Sequence, residues 1–341
     1  MIAAGINFPN RIPESYPRLV REPAFDPSKH LALERPDRLI TLEEFGYDEA
    51  TRARCPSQIA ITSAFRILTD EGVAALREVG EQFRRQEQKT EGNPRAAYVK
   101  PRGSAYSSKF ARDLSRSPDL LAFVSEIAGA PLAPHTMPTL GASFVYAPPQ
   151  AEKTNQGWHM DSLGFDCVIM VSGPDDGNGG GFQYFQGTLQ EVARICGVAE
   201  HEIRTSVGKL GNLPADRIHT MTYRKAGYGA FMQGNMVLHR GEPLRRPAAR
   251  SVFVPGFIAL ALDYPDVTNW REVRNWNSPS VKAEYLRHKA WRAASFLQDL
   301  IETQPFDDRE GYRARLQQAA QEIEEAVAEL GAQSRAAAAA E

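Results

Sequence analysis

Two histidines and one aspartate are the residues of this chain best suited to hold a metal. In the stretch Gln156–Ser162, His159 and Asp161 stand two positions apart, so on an extended backbone both side chains would point to one face. A third ligand is expected from His239, far along the chain. Two imidazoles and one carboxylate form the ligand set that suits non-heme Fe(II), which keeps positions open for oxygen and a cosubstrate.

An arginine adds a second chemical feature to this set. Arg250 follows His239 by 11 residues and stands at the start of a strongly apolar segment. A buried strand rarely carries arginine unless the charge is paired, and a fixed guanidinium suits a bidentate salt bridge with a small dicarboxylate. The alternative for Arg250 is an edge position that faces water.

These residues lie in a part of the chain with the pattern of a β-rich core. Short segments rich in Val, Ile, Phe and Tyr, separated by turn residues, are predicted as strands at 142–147, 165–171, 182–185, 228–233 and 251–262. The glycine-rich stretch 173–181 is predicted as a loop, because so many glycines disfavour both strand and helix. The pattern predicts a β-sandwich or barrel.

Helices are predicted on both sides of this core. Start and stop signals indicate helices after Thr69, from Pro118 to a stop at Gly129, and from a capping box at Thr188 to Cys196. Two more helices are predicted after Pro279, as a cap on the barrel or as a contact with a second subunit in a homodimer. We expect one integrated domain with an irregular arm (1–57), a core with its N-terminal helices (58–278) and a helical extension (279–341).

The composition limits the classes of function. Charged residues make up 24% of the 341 residues, and the net charge is −2, so the chain lacks the basic field typical of nucleic-acid binders. Its three cysteines are far apart and odd in number, which argues against a disulfide framework and favours a reducing cytoplasm. No segment reaches the ~18 apolar residues of a membrane span. We expect a cytoplasmic protein without nucleic-acid or membrane partners.

Taken together, the motifs resemble those of the Fe(II)/2-oxoglutarate-dependent oxygenases, in particular the phytanoyl-CoA dioxygenase-like branch. The segments that carry the resemblance are Gly157–Asp161, Gly180–Phe182 with Gly187–Thr188, Leu238–Pro243 and Arg250. The resemblance implies a double-stranded β-helix, also called a jelly-roll or cupin-like fold. The expected fold class is therefore α+β, with a mainly β core and flanking N- and C-terminal helices.

The resemblance also implies roles for individual residues. His159, Asp161 and His239 would bind Fe(II), and Arg250 would bind the far carboxylate of 2-oxoglutarate, which is converted with O2 to succinate and CO2. In related halogenases a small residue replaces the carboxylate ligand. Asp161 therefore favours hydroxylation, desaturation or ring closure over halogenation.

Other residues are candidates for contacts with the cosubstrate or the substrate. Tyr146 and Gln156 are near the metal-binding stretch and are expected to donate hydrogen bonds there, with packing or turn roles as the alternatives. The basic, aromatic stretch 92–112 would attract an anionic small molecule, with Lys100, Arg102 and Tyr106 as the candidates; an ordinary solvated loop is its alternative.

Three classes of function are compatible with these residues. The first is an oxygenase acting on a small molecule, such as an amino acid or a natural-product intermediate. The second is a cupin-type hydrolase or isomerase with another divalent metal, and the third is a non-catalytic β-barrel binding module. Arg250 separates the first class from the second, because a hydrolase would have no task for it.

Overall fold

A computed structural model gives the structure of most of the chain. It describes residues 1–16, 18–86, 102–147, 157–173, 178–205, 210–276, 278 and 280–338. Within these residues no helix is both long enough and apolar enough to cross a membrane.

The core consists of two antiparallel sheets. The strands are β1 (Leu39–Thr41), β2 (Ile59–Thr62), β3 (Phe65–Arg66), β4 (Leu132–Pro134), β5 (Ala142–Tyr146), β6 (Phe165–Ser172), β7 (Phe182–Phe185), β8 (Ile218–Met221), β9 (Tyr228–Met232), β10 (His239–Gly241) and β11 (Ser251–Ala259). In the described residues, an eight-stranded sheet has the order β1-β2-β9-β6-β11-β4, with β3 beside β9 and β5 beside β11. A three-stranded sheet has the order β10-β7-β8.

The strands β6 and β11 lie side by side at the centre of the large sheet. β6 and β11 are nearly continuous apolar runs and pair antiparallel with each other, with Phe253 opposite Ile169. Such runs are typical of strands that are buried on both faces. Helix α3 contacts the outer face of β6, and the inner faces of both strands meet the small sheet across a cavity. The predicted jelly-roll core with flanking helices is confirmed.

The helices surround the sheets. They are α1 (Pro27–His30), α2 (Glu49–Arg52), α3 (Asp70–Gln86), α4 (Ser104–Ser107), α5 (Lys109–Ser115), α6 (Pro118–Ala128), α7 (Pro138–Gly141), α8 (Leu189–Cys196), α9 (Trp270–Val273), α10 (Val281–Thr303) and α11 (Arg309–Ala338), with 3-10 turns at Glu200–Thr205 and Ala215–Arg217. The predicted capping box of α8 is confirmed, since Thr188 and Glu191 bond each other's backbone. The stop of α6 at Gly129 is confirmed by its left-handed φ of +64°.

The first 57 residues are more than an irregular arm over the core. They contribute β1, which pairs antiparallel with β2 at the edge of the large sheet. Phe45 is fully buried in the main core, and the Tyr47 hydroxyl donates to the Met236 carbonyl at 2.8 Å. Short apolar runs such as these were too brief to signal a strand in the sequence.

The C-terminal helices α10 and α11 form a hairpin that covers the barrel. Trp291 and Phe296 on α10 pack with Ala133 of β4 and Ile258 of β11. A buried ionic cluster joins the hairpin to the segment after β11: the Lys289 ammonium lies 2.9 Å from Asp266 and 2.8 Å from Glu322. Of the two alternatives for these helices, the structure shows the cap, and a homodimer stays a prediction.

We expect Lys289→Met to destabilise the protein strongly. The substitution removes the cation that Asp266 and Glu322 share and leaves them with His288 and Arg292, respectively. The loss of a hydrogen bond to a charged group typically costs about 1.5–3 kcal/mol. The measurement is the free energy of unfolding from urea titration. Lys282→Met is the matched control, because Lys282 is exposed on the same helix and its loss should change stability by no more than ~0.5 kcal/mol. Equal stability of the two variants would contradict the role of the cluster.

Candidate active site

A backbone pair brings the two predicted histidine ligands together. The His159 N–H donates to the His239 carbonyl at 3.0 Å, and the His239 N–H donates to the His159 carbonyl at 2.9 Å. These two hydrogen bonds form an isolated antiparallel bridge, and the ring centroids lie 4.3 Å apart. Residues that are 80 positions apart in the chain are therefore fixed as direct neighbours.

Each histidine is oriented by the backbone carbonyl of the residue two positions earlier in the chain. The His159 Nδ1 lies 2.8 Å from the Gly157 carbonyl, and the His239 Nδ1 lies 3.0 Å from the Val237 carbonyl. A carbonyl oxygen only accepts, so in each ring the proton belongs on Nδ1 and the lone pair on Nε2. Both Nε2 atoms face Asp161, at 3.8 Å from Oδ1 for His159 and 3.3 Å from Oδ2 for His239.

A glycine makes room for the carboxylate. The Asp161 N–H donates to the Gly234 carbonyl at 2.8 Å, which fixes the loop between the bridge and β6. A Cβ atom on Gly234 would lie 2.5 Å from Oδ2 of Asp161 and 2.5 Å from Oδ2 of Asp166, closer than real atoms approach. The ligand atoms of His159, Asp161 and His239 all lie within 4.8 Å of one another. This donor set fits Fe(II).

Arg250 is buried beside these ligands at the start of β11. Its Nε donates to the Gly180 carbonyl at 2.6 Å, and its guanidinium lies against Gly241 at the end of β10. Gly180 has a φ of +78°, a left-handed backbone that glycine adopts without strain. The glycine-rich turn, predicted only as a loop, therefore supplies the acceptor that orients the arginine.

A cavity of about 80 Å³ joins the three ligands and Arg250. Alternate residues of β5 and of the first half of β11 line it, as the alternation of side chains on a strand requires. The lining residues are Arg102, Thr139, Leu140, Ser143, Val145, His159, Asp161, Ser162, Leu163, Val168, Phe182, His239, Gly241, Arg250, Val252, Val254 and Trp276. The wall thus combines apolar side chains with polar and charged groups, as small-molecule sites do.

Tyr146 is not brought to this cavity. Ser143 and Val145 of β5 line the cavity, so Tyr146 lies on the opposite face of the strand. Its hydroxyl donates to the Gly80 carbonyl of α3 at 2.6 Å, and burial raises the pKa of this hydroxyl. In this structure Tyr146 packs the strand against α3, which was the alternative role considered for it.

In the described part of the basic stretch, from residue 102 onward, one cation lines the cavity. Arg102 is buried, and its guanidinium carbon lies 3.2 Å from the ring centroid of Trp276. Tyr106 lies outside the cavity lining, with its ring centroid 4.7 Å from that of Tyr16, and burial and the neighbouring Glu284 raise the pKa of its hydroxyl. Lys100 and Gln156 lie outside the described residues.

Trp276 and Thr139 are among the lining residues that were not predicted from the sequence. Trp276 follows the short helix α9, where nothing in its local pattern indicates a site. Thr139 lies in α7 and donates to Glu284 of α10 from both its backbone N–H, at 2.8 Å, and its hydroxyl, at 2.7 Å. Both reach the cavity through contacts between distant segments, which local pattern cannot reveal.

We expect Gly234→Ala to weaken metal binding by about tenfold or more, because the new methyl group displaces the Asp161 carboxylate. The measurement is an anaerobic titration of the protein with Co(II), followed by its visible absorption. Gly211→Ala serves as the control, since no atom lies within 4 Å of a Cβ at that position. Unchanged affinity in Gly234→Ala would show that the carboxylate position does not depend on this space.

Several solved structures resemble this chain at low sequence identity. The non-heme α-ketoglutarate-dependent carbocyclase SnoK from nogalamycin biosynthesis is 14% identical, with 65% of this chain and 87% of that chain covered and a TM-score of 0.40. HygX from Streptomyces hygroscopicus, solved with nickel and 2-oxoglutarate bound, is 14% identical, and the TM-score is 0.41. The match covers 64% of this chain and 87% of the HygX chain. These TM-scores are too low to argue for a reaction or a substrate. No curated protein matches the chain.

A family model gives the assignment. The model of Halogenase D matches residues 47–261, which is more than half of the chain and includes His159, Asp161, His239 and Arg250. The superfamily expected from the sequence is confirmed, while the phytanoyl-CoA dioxygenase-like branch stays a prediction. The chain belongs to the Halogenase D family, within the Fe(II)/2-oxoglutarate-dependent enzymes.

Proposed function

We propose that this protein is an Fe(II)- and 2-oxoglutarate-dependent oxygenase that hydroxylates, desaturates or cyclises a small molecule. An amino acid or a natural-product intermediate is the expected kind of substrate. The observation that carries the proposal is the convergence of two Nε2 lone pairs, the Asp161 carboxylate and the Arg250 guanidinium on one cavity. Membership of the Halogenase D family supports it.

The protein's own groups would act by holding and orienting the reactants. His159, Asp161 and His239 would hold Fe(II), which with 2-oxoglutarate and O2 supplies the oxidising power and releases succinate and CO2. Arg250 would bind the distal carboxylate of 2-oxoglutarate through a charge-assisted pair, and the Gly180 carbonyl keeps that guanidinium in place. Val252 and Val254 would exclude water from the reacting atoms.

The carboxylate at position 161 bears on the outcome of the reaction. The family is named for a halogenase, and in related halogenases a small residue stands at this position and leaves room for halide. Here the Asp161 oxygens face both histidines, at 3.3 and 3.8 Å. A carboxylate in this place supports oxygen transfer or dehydrogenation of the substrate over transfer of a halogen.

Arg102 supports an anionic substrate. It is buried in the cavity wall, and stacking on Trp276 restricts its guanidinium to one plane. Such a fixed, planar donor suits a carboxylate, because both carboxylate oxygens accept from it in parallel. We assign the substrate carboxylate to Arg102 and the cosubstrate carboxylate to Arg250, which gives each buried cation of the cavity a separate task.

The test of the function is spectroscopic. Addition of Fe(II) and 2-oxoglutarate without oxygen should give the weak visible charge-transfer band of a chelated cosubstrate, and exposure to air should give succinate. His159→Ala and Asp161→Ala should abolish iron-dependent succinate formation, since each removes a ligand. A wild-type protein with neither the band nor succinate would exclude the oxygenase.

Arg250→Ala extends the same test to the cosubstrate. The dissociation constant of 2-oxoglutarate should rise about 100-fold, as expected when a buried charge pair loses one partner. Arg246→Ala is the control, because Arg246 is exposed nearby and contacts Asn178 through its backbone. Equal 2-oxoglutarate affinity in the two variants would remove the role assigned to Arg250.

A substrate screen tests Arg102. Free amino acids and other small carboxylates are tested for stimulation of succinate release, and the KM of the best one should rise about 100-fold in Arg102→Ala. Lys109→Ala is the matched control, since Lys109 belongs to the same basic stretch but is exposed and paired with Asp113. A substrate without any anionic group, used equally well by both variants, would contradict the assignment.

A further inference from the structure

A second and larger cavity lies behind the loop that carries Asp161. Its volume is about 280 Å³, compared with about 80 Å³ for the cavity at the metal ligands. Gln233 and Asn235 line it, and they flank Gly234, whose carbonyl accepts from the Asp161 N–H. This volume far exceeds the ~10–15 Å³ that one water needs. The space is therefore large enough for an organic molecule.

One residue of the cavity wall, His135, is a buried neutral histidine. Its Nδ1 accepts from the Met137 N–H at 3.1 Å, so the proton of the neutral ring belongs on Nε2. Burial, and then the neighbouring His288, lower the pKa of His135 to about 3, so the ring is neutral at pH 7. Nε2 is enclosed by protein atoms, so His135 gives the wall a neutral surface and no donor that an occupant reaches.

A buried guanidinium, that of Arg292, also lines this cavity. The side chain of Arg292 is 6% exposed, and its Nε donates to Glu322 at 2.5 Å. No residue that the structure describes bonds its Nη1 or Nη2. These two nitrogens carry four N–H donors in one plane, the arrangement that suits a carboxylate.

Asp266, the acidic residue of the wall beside Arg292, is engaged by other groups. It accepts from the Thr268 N–H on Oδ1, at 3.0 Å, and from His288 and Lys289 on Oδ2, each at 2.9 Å. Nη1 and Nη2 of Arg292 are therefore open to an acceptor from an occupant of the cavity.

Apolar residues form a large part of the remaining wall, beside Gln233 and Asn235, up to an open rim. Phe165, Leu189, Met236 and Ile258 line the body of the cavity, whereas the exposed Arg54, Gln190 and Glu200 border its mouth. A bare inorganic anion would leave the apolar surface without contacts, and a hydrocarbon would leave the donors without acceptors.

We propose that this second cavity binds a small carboxylic acid with a short apolar body, whose carboxylate contacts Arg292. The body lies along Phe165, Met236 and Ile258 and points toward the rim. The site is separate from the metal ligands and from Arg250, so it stands independently of the oxygenase reaction.

The test uses hexanoate as the probe and iron-free protein, with binding measured by titration calorimetry. Hexanoate should bind saturably and at least about tenfold more tightly than hexan-1-ol, because only the acid pairs with Arg292. Leu189→Trp, which fills the cavity from its wall, and Arg292→Gln should each weaken hexanoate binding by about tenfold or more. Arg250→Ala, in the metal cavity, should leave it unchanged.

Three outcomes would overturn the proposal. The first is the absence of saturable hexanoate binding up to about 10 mM, a weak limit for any specific site. The second is binding of hexan-1-ol as tight as that of hexanoate, which removes the role of the carboxylate. Binding that is lost in Arg250→Ala and retained in Leu189→Trp would place the acid in the metal cavity instead. None of these results depends on turnover, so the oxygenase proposal is tested separately.

Discussion

The backbone bridge between His159 and His239 is the constraint on which the site depends. Two main-chain hydrogen bonds, of 3.0 and 2.9 Å, set the separation of the imidazoles, and each Nδ1 is held by a carbonyl two residues earlier in the chain. The rings are therefore oriented by the backbone of the small sheet and the segment that joins it. A site arranged in this way needs little reorganisation when a metal binds.

The sequence predicted the ligands but not the way in which they are brought together. The spacing of His159 and Asp161 was interpreted as one face of an extended strand. Of these two residues, only His159 forms a β-bridge in the structure. Asp161 lies in a loop, where its N–H donates to the Gly234 carbonyl. The ligand types followed from chemistry, whereas the loop depends on a glycine in another segment, which has no signal in the spacing of the motif.

The limits of the sequence are also seen in Tyr146 and Arg102. Tyr146 was chosen because it is near the ligands in the chain, but the alternation along β5 turns it toward α3. Arg102 was one of several cations in a basic stretch, and its stacking on Trp276, 174 residues later, distinguishes it from Lys109. Strand position and long-range contacts decided both cases, and neither is encoded locally.

Two independent structural features hold the ligands of the proposed iron site. The bridge holds the histidines, and the space above Gly234 receives the carboxylate. A lineage that replaced Asp161 with a smaller residue would keep the bridge and both imidazole orientations, because neither uses the aspartate side chain. Position 161 of the proposed site could therefore change its donor chemistry while the backbone that holds both imidazoles stayed the same.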